Sequence, residues 1–190
     1  DFELKMPKGE NYEIKSDGNV VLTWKDNEDI EDGYRIFKQL GINSEPQFLT
    51  QLPENSTSFI DSTKNFAFPT TYYVVSYYQN VHSDTLEIDI DFENLSKFTT
   101  EFENGYEKII LKWSGNVPFA DGYEIRSKRD SNASAEVISR VSNTTSKLVI
   151  NTPNQGFNYE YSITPYKIYD SKVTYLESLN SQISIGPVIT

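Results

Sequence analysis

Apolar and polar residues alternate with a period of two along most of the chain, which is the pattern of half-buried β-strands. No long stretch shows the 3.6-residue apolar period of an amphipathic helix. Residues that strands favour are abundant, with 13 Tyr and 11 Phe among 190 residues. Clusters of Gly, Pro, Asn, Asp and Ser interrupt the alternating runs at short intervals. The sequence therefore predicts many short strands separated by turns.

The alternating runs contain a repeat. The run Val20–Trp24 recurs as Ile109–Trp113, and the two Trp residues are 89 positions apart. Asp32–Ile36 recurs as Asp121–Ile125 with the same offset of 89. Two motifs that share one period indicate a duplicated unit.

The period predicts two domains, over residues 1–93 and 94–190, joined by a short connector without Gly or Pro. Each half contains about seven strand candidates bounded by turn residues, the spacing of a β-sandwich. A domain of this size buries a sufficient core without disulfides or metals, and the chain has no Cys. The predicted fold class is all-β, with two consecutive immunoglobulin-like seven-stranded β-sandwiches.

The ordered motifs resemble those of fibronectin type III domains arranged in tandem. In that family a Trp follows alternating apolar residues on the second strand, and a Gly-Tyr-x-Ile or Gly-Tyr-x-Val element lies on the third. A Tyr then opens a Tyr-x-Val or Tyr-x-Ile run on the sixth strand. The resemblance implies that six side chains anchor the two cores: Trp24, Tyr34 and Tyr73, with Trp113, Tyr123 and Tyr161.

Two finer expectations follow from pairing Tyr73 with Tyr161. Their offset is 88 rather than 89, which predicts one deletion before the sixth strand. The resemblance also implies that both are corner tyrosines, with the hydroxyl bonded to nearby backbone. The same pairing places Pro165 at the position of Tyr77. Because Pro cannot donate to a ladder, we expect a bulge or a strand end there.

The strand phase that points Tyr73 inward turns its neighbours outward. Contiguous exposed apolar area usually marks a contact site. Cross-strand aromatic packing shielded by polar neighbours is the alternative interpretation. We predict a contact surface on this outer sheet face of the first domain, formed by Phe37, Tyr72, Val74 and Tyr78.

Charge narrows the choice of partners. The net charge is −11 and the isoelectric point is about 4.6. Both disfavour nucleic acid and anionic membrane surfaces, which select clusters of Lys and Arg. No apolar run approaches the roughly 18 residues of a membrane helix, and no signal-like stretch opens the chain. We expect a monomer without a nucleic-acid partner or membrane insertion, and with a protein or glycan partner.

Catalytic and metal-binding motifs were sought and none is convincing. The single His, His82, lies in a predicted loop, where neighbouring residues cannot converge as a catalytic triad does. Residues 26–33 are dense in carboxylates but fail the EF-hand spacing. The alternating acids of residues 87–93 offer calcium ligands but are also typical of a charged edge strand. We predict no enzyme, no cofactor and no metal site.

Four Asn-x-Ser/Thr sites are glycan acceptors in a secreted eukaryotic protein and otherwise chance matches: Asn55, Asn94, Asn132 and Asn143.

The leading hypothesis is a non-catalytic extracellular module, secreted or on the cell surface, that acts as a spacer or mediates adhesion within a larger protein. Usage rich in Lys, Asn and Ser, with few Arg and no Cys, favours a bacterial surface or secreted protein. The alternative is a carbohydrate-binding accessory module of a polysaccharide-degrading enzyme. In that case aromatic side chains near Tyr72, or in the loop with Tyr169 and Tyr175, would stack on sugars. A cytokine-receptor-like pair is disfavoured because Cys and a Trp-Ser-x-Trp-Ser motif are missing.

Overall fold

The computed structural model describes residues 3–27, 29–103, 106–130 and 133–186, and in these ranges it contains strands, turns and loops but no helix. The predicted all-β class is therefore confirmed. The chain divides into two compact units, Asp1–Asp91 and Phe92–Thr190. Each unit forms two antiparallel sheets, whose apolar inner faces make a sandwich core.

In the first unit, one sheet has the order β1-β2-β5, and the other has the order β4-β3-β6 with β7 and β8 both paired to β6. Alternate residues of β2 are buried, and Trp24 is one of them, because side chains on a strand point to opposite faces in turn. The strands are β1 (Lys8–Ile14), β2 (Val20–Lys25), β3 (Gly33–Leu40), β4 (Gln47–Pro53), β5 (Ser58–Asp61), β6 (Thr70–Tyr78), β7 (Val81–His82) and β8 (Leu86–Ile90).

The second unit repeats this order, with sheets β9-β10-β13 and β12-β11-β14, and with β15 and β16 both paired to β14. The strand β14 is longer than its counterpart because a hairpin with β15 extends it. The strands are β9 (Lys97–Glu103), β10 (Lys108–Ser114), β11 (Gly122–Arg129), β12 (Glu136–Ser142), β13 (Lys147–Asn151), β14 (Phe157–Tyr169), β15 (Lys172–Tyr175) and β16 (Leu179–Ile185).

The repeated Asp-Gly-Tyr motif has a separate role for each residue. The carboxylate of Asp32 accepts a hydrogen bond of 2.6 Å from the main-chain N–H of Gln79, just beyond the end of β6. Gly33 has φ of +148°, and an added Cβ there would lie 2.1 Å from the carbonyl oxygen of Leu52. Tyr34 is buried against Trp24, with ring centroids 5.6 Å apart. The motif thus connects β3 with β2, with β4 and with the end of β6.

The second copy of the motif is built in the same way. Asp121 accepts 2.7 Å from the N–H of Ile168, which is 89 residues after Gln79. A Cβ on Gly122 would lie 2.3 Å from the Val141 carbonyl oxygen. Tyr123 is buried against Trp113, whose indole N–H donates 2.7 Å to a main-chain carbonyl. Only Gly allows these close approaches between strands, which explains why the motif recurs.

The predicted pairing of Tyr73 with Tyr161 is wrong. Lys38 pairs with Tyr72 on β6, and Ser127, 89 residues after Lys38, pairs with Tyr161 on β14. Tyr72 is therefore the equivalent of Tyr161, and both are fully buried. The offset stays at 89 residues through the sixth strand, so the predicted deletion does not exist. Tyr73 points to the other face of the sheet and is only half-buried, so it is not a core anchor.

The corner-tyrosine expectation also fails. The hydroxyl of Tyr73 donates to the side-chain oxygen of Gln39 rather than to backbone. The hydroxyl of its neighbour Tyr72 donates 2.6 Å to the Asp61 carboxylate, and the buried hydroxyl of Tyr161 makes no hydrogen bond to backbone within the described ranges. None of these hydroxyl groups closes a corner.

Pro165 causes neither a bulge nor a strand end between β11 and β14. It corresponds to Ser76 rather than Tyr77, and it pairs in register with Tyr123. Its carbonyl accepts from Leu176 on the opposite side. The N–H that Pro lacks would point to that same side, where β14 exchanges β16 for β15 as its partner. The main-chain N–H that Pro165 lacks is therefore needed neither by the β14–β16 pairing nor by the β14–β15 pairing.

Candidate contact surface

Three aromatic side chains lie side by side across the outer face of the sheet that contains β4, β3 and β6. Phe37 pairs with Phe48 on β4 and with Tyr73 on β6. The rings of Phe37 and Phe48 meet edge to face, with centroids 5.7 Å apart at 74°. Phe48 is 59% exposed, while Phe37 and Tyr73 are half-buried. We call these three residues the aromatic row.

The predicted contact surface therefore occupies the expected sheet face but has the wrong residues on β6. Tyr72 and Val74 are both 0% exposed and face the core. Tyr78 follows the same alternation and is half-buried at the end of the strand. Of the four predicted residues, only Phe37 lies on the outer face. The outward positions of β6 are held by Tyr73, Val75 and Tyr77.

The aromatic row ends at an acidic edge. Tyr73 pairs with Glu87 on β8, and Thr71, two residues earlier on the same face, pairs with Asp89. The hydroxyl of Thr71 donates 2.7 Å to Asp89, whereas Glu87 is exposed and forms no hydrogen bond or ion pair with the described residues. Burial, followed by the nearby charges of Glu87 and Asp89, raises the pKa of Tyr73 above its ordinary value.

A cation lies beyond the other side of the aromatic row. The guanidinium of Arg35 lies 4.6 Å from the ring centroid of Tyr77. It also donates to Nε2 of His82 at 2.7 Å. Because Arg has no acceptor atom, this bond requires a neutral His82 with its proton on Nδ1. Gln51 donates 2.6 Å to the Tyr77 hydroxyl, so this end of the face is fixed by its own contacts.

A shallow groove of about 450 Å³ lies on this face. Phe37, Tyr73 and Val75 give it apolar lining, and Arg35 and Glu87 give it charged lining. Contiguous apolar surface with a polar rim is the usual composition of a contact site.

The second unit has no such row. The equivalents of the aromatic row, each 89 residues later, are Val137, Arg126 and Ser162. Only one of these side chains is apolar, and none is aromatic. The duplication therefore preserved the strands and the core while the two outer faces diverged.

A buried carboxylate occupies the outer face of the second unit. Glu124 is buried and accepts from Arg126 at 2.8 Å and from Arg140 at 2.7 and 2.9 Å. Tyr175 adds a hydroxyl at 3.1 Å. Burial opposes ionisation of Glu124, but these hydrogen bonds outweigh it and hold its pKa below the ordinary range. Because each charged side chain has an oppositely charged partner within the cluster, we interpret this arrangement as one that stabilises the sheet.

The described ranges hold no cluster of three or more His, Cys, Asp or Glu side chains suited to a metal ion. They also contain no helix with the length and apolarity to cross a bilayer. Of the residues considered for calcium and for glycosylation, Glu28 and Asn132 lie outside the described residues. Asn143 donates 2.9 Å to the Ala120 carbonyl, and Asn94 donates 3.0 Å to that of Glu177.

Solved structures of other proteins are similar to this chain. A two fibronectin type III domain segment from chicken tenascin is 16% identical over 94% of this chain and 98% of that one, with a TM-score of 0.45. The chicken interferon gamma receptor alpha chain is 15% identical over 95% of this chain and 98% of that one, with a TM-score of 0.43. No protein-family model matches the chain, and neither does any curated protein.

The fold of the chain and the order of its sequence motifs indicate the same kind of domain. The chain resembles tandem fibronectin type III domains. Within this fibronectin type III-like pair, the aromatic row is the feature of the first unit that sequence reasoning assembled only in part. Phe48 and Glu87 were not assigned to the surface, because their places beside Phe37 and Tyr73 depend on strand register. The constant offset of 89 residues makes Tyr72 the equivalent of Tyr161, and it therefore places Tyr73 on the outer face of the sheet.

Proposed function

We propose that this fibronectin type III-like pair is a non-catalytic protein-interaction module of a larger extracellular protein, and that the aromatic row is its contact surface. The observation that carries the proposal is Phe48, which is 59% exposed beside the aromatic ring of Phe37. A large aromatic side chain left in water favours burial against a partner, because burying its surface is worth about 25 cal/mol per Å².

Ring geometry favours a protein partner over a polysaccharide surface. Sugars stack on a ring whose face is flat and open. The rings of Phe37 and Phe48 pack edge to face at 74°, so they do not form one flat platform. Aromatic side chains of this kind are enriched in protein–protein interfaces. The carbohydrate-binding alternative gains no support from this surface.

An extracellular location is part of the proposal. It is supported by the family that the motifs resemble and by an acidic chain of net charge −11, which keeps protein surfaces apart in solution. The second unit, with its charged and internally paired outer face, then serves as a spacer that carries the first.

A peptide selection tests the contact surface without knowledge of the natural partner. The complete chain is immobilised and panned against a random peptide library, with Phe48→Ser/Tyr73→Ser as the test variant. Val137→Ser is the matched control, because Val137 is the 47% exposed equivalent of Phe48. Thermal melting establishes that all three proteins are folded.

We expect peptides that bind the unmodified chain and Val137→Ser but not the double variant. Enrichment of peptides that bind all three proteins equally, or no enrichment at all, would contradict the proposal. A glycan array run on the same proteins separates the alternative. A glycan that binds the unmodified chain and is lost with Phe48→Ser/Tyr73→Ser would replace protein as the partner class.

A further inference from the structure

The aromatic row ends at Glu87, an exposed acid that forms no ion pair with the residues that the structure describes. Phe48, Phe37 and Tyr73 lie on three adjacent strands, and Glu87 continues the line on the fourth. Adjacent strands are about 4.8 Å apart, so the Glu87 carboxylate belongs to the same short stretch of surface as the Tyr73 ring. A ring face and a carboxylate together form the environment that attracts an organic cation.

We propose that the partner places a cationic side chain, Arg or Lys, on the aromatic row between Tyr73 and Glu87. This inference rests on the proposed function, since it names the chemistry of the partner that the same surface binds. A protein segment with a basic residue, rather than a sugar or an acidic peptide, is the occupant that the surface fits.

Charge complementarity is the first argument. Glu87 and Asp89 face the same side of β8, and neither forms an ion pair with the described residues. Burial, and after it the negative charges of Glu87 and Asp89, raises the pKa of Tyr73. The chain as a whole carries a net charge of −11. That field attracts basic segments and speeds their association at low ionic strength.

A cation already lies over an aromatic ring on this same sheet face, within the chain itself. Arg35 lies over the Tyr77 ring at 4.6 Å and is bonded to His82. Arg35, held by these contacts, forms no ion pair with Glu87 among the described residues. Its positive charge instead repels a second cation from that side. The cation of a partner is therefore directed to the Glu87 end.

The second unit shows what the same position becomes when it supplies its own cation. Arg126 replaces Phe37 and is bonded to the buried Glu124. Ser162 replaces Tyr73, and its partner on the neighbouring strand is Asn180 rather than an acid. Neither an aromatic face nor a free carboxylate remains there. Cation recognition is therefore expected only on the first unit.

The probe is Nα-acetyl-arginine amide, titrated into the complete isotope-labelled chain and followed by NMR. Nα-acetyl-citrulline amide is the neutral control of nearly the same shape. We expect shifts of the Phe37, Tyr73 and Glu87 signals with the arginine probe that weaken as salt is raised. An ion pair at an exposed site contributes up to about 1 kcal/mol, so Glu87→Gln should weaken binding by up to about fivefold.

Glu10→Gln, which removes an exposed acid from the opposite sheet, is the matched control and should leave the affinity unchanged. Equal shifts with the citrulline probe, or equal losses in Glu87→Gln and Glu10→Gln, would overturn the inference. The peptide selection separates the two proposals. Selected peptides that need the aromatic row but contain no Arg or Lys would leave the contact surface standing and refute only its cation chemistry.

Discussion

A buried ion pair links the two sheets of the first unit and allows a quantitative test of the fold. Lys38 on β3 and Asp61 at the end of β5 are 6% and 2% exposed, and their Nζ and Oδ2 atoms are 2.6 Å apart. The hydroxyl of Tyr72 donates to the same Oδ2 atom, also at 2.6 Å. The equivalent positions in the second unit are Ser127 and Ile150, so that unit forms its core without the pair.

Removing one charge should cost far more than removing both. Asp61→Leu leaves the Lys38 ammonium buried without its counter-ion, a change that typically costs about 3–5 kcal/mol. Replacing a whole buried pair by apolar residues of similar size is often neutral or stabilising. The triple variant Lys38→Met/Asp61→Leu/Tyr72→Phe, which also removes the hydroxyl that would lose its acceptor, should therefore recover at least about 2 kcal/mol relative to Asp61→Leu.

Urea denaturation measures both free energies. The substitutions are made in a Trp113→Phe background, so that the fluorescence of Trp24 reports the first unit alone. If Asp61→Leu costs less than about 1 kcal/mol, or if the triple variant is no more stable than Asp61→Leu, the buried-pair reasoning is refuted.

Three further predictions concern pH, glycine and tryptophan. Burial opposes ionisation of Asp61, but hydrogen bonds from Lys38 and its neighbours hold its pKa below the ordinary value. The folded form then gains stability that is present above the unfolded pKa of about 3.9 and is lost as pH falls through the folded pKa. The triple variant should show a smaller loss on acidification, and equal losses would contradict the assignment. Gly33→Ala should destabilise its unit by about 3 kcal/mol, because its Cβ would lie 2.1 Å from a carbonyl oxygen. Gly156→Ala, whose Cβ meets nothing within 4 Å, should cost its unit about 1 kcal/mol. Equal losses of unfolding free energy, each measured on the unit that carries the substitution and relative to the unmodified chain, would refute this. Truncating Trp24 or Trp113 to Ala removes burial worth about 4–6 kcal/mol and should unfold its own unit, which an unmoved denaturation midpoint would disprove.

The sequence was sufficient for the parts of the fold that alternation encodes clearly. The run Val20–Trp24 alternates apolar and less apolar positions, so its inward face could be assigned. On β6 the order is Tyr-Tyr-Val-Val from Tyr72 to Val75. Both faces of that strand carry the same residue types, so alternation alone could not decide which Tyr faces the core.

The choice between the two phases was nevertheless available in the repeat. Every other motif keeps an offset of 89 residues, and only Tyr72 stands 89 residues before Tyr161. Physically, Tyr72 is the Tyr that reaches Asp61 on the opposing sheet. The same constant offset relates Phe48 to Val137.

Register accounts for what no local pattern could reveal. The meeting of Phe37 with Phe48 depends on an irregularity in the β3–β4 ladder between Ile36 and Phe37. The approach of Glu87 to Tyr73 depends on how β8 adds to β6 after the intervening β7. The buried Lys38–Asp61 pair joins residues 23 positions apart on different sheets. Each of these is a consequence of tertiary pairing, so none leaves a mark on the periodicity of a single strand.

An NMR map of a selected peptide on the complete chain tests the central claim most directly. The account predicts shifts concentrated on Phe37, Phe48 and Tyr73 with the adjoining Glu87, and none on the Arg126 face of the second unit. A footprint that lies on that second face, or on the β1-β2-β5 sheet, would contradict the assignment of the contact surface.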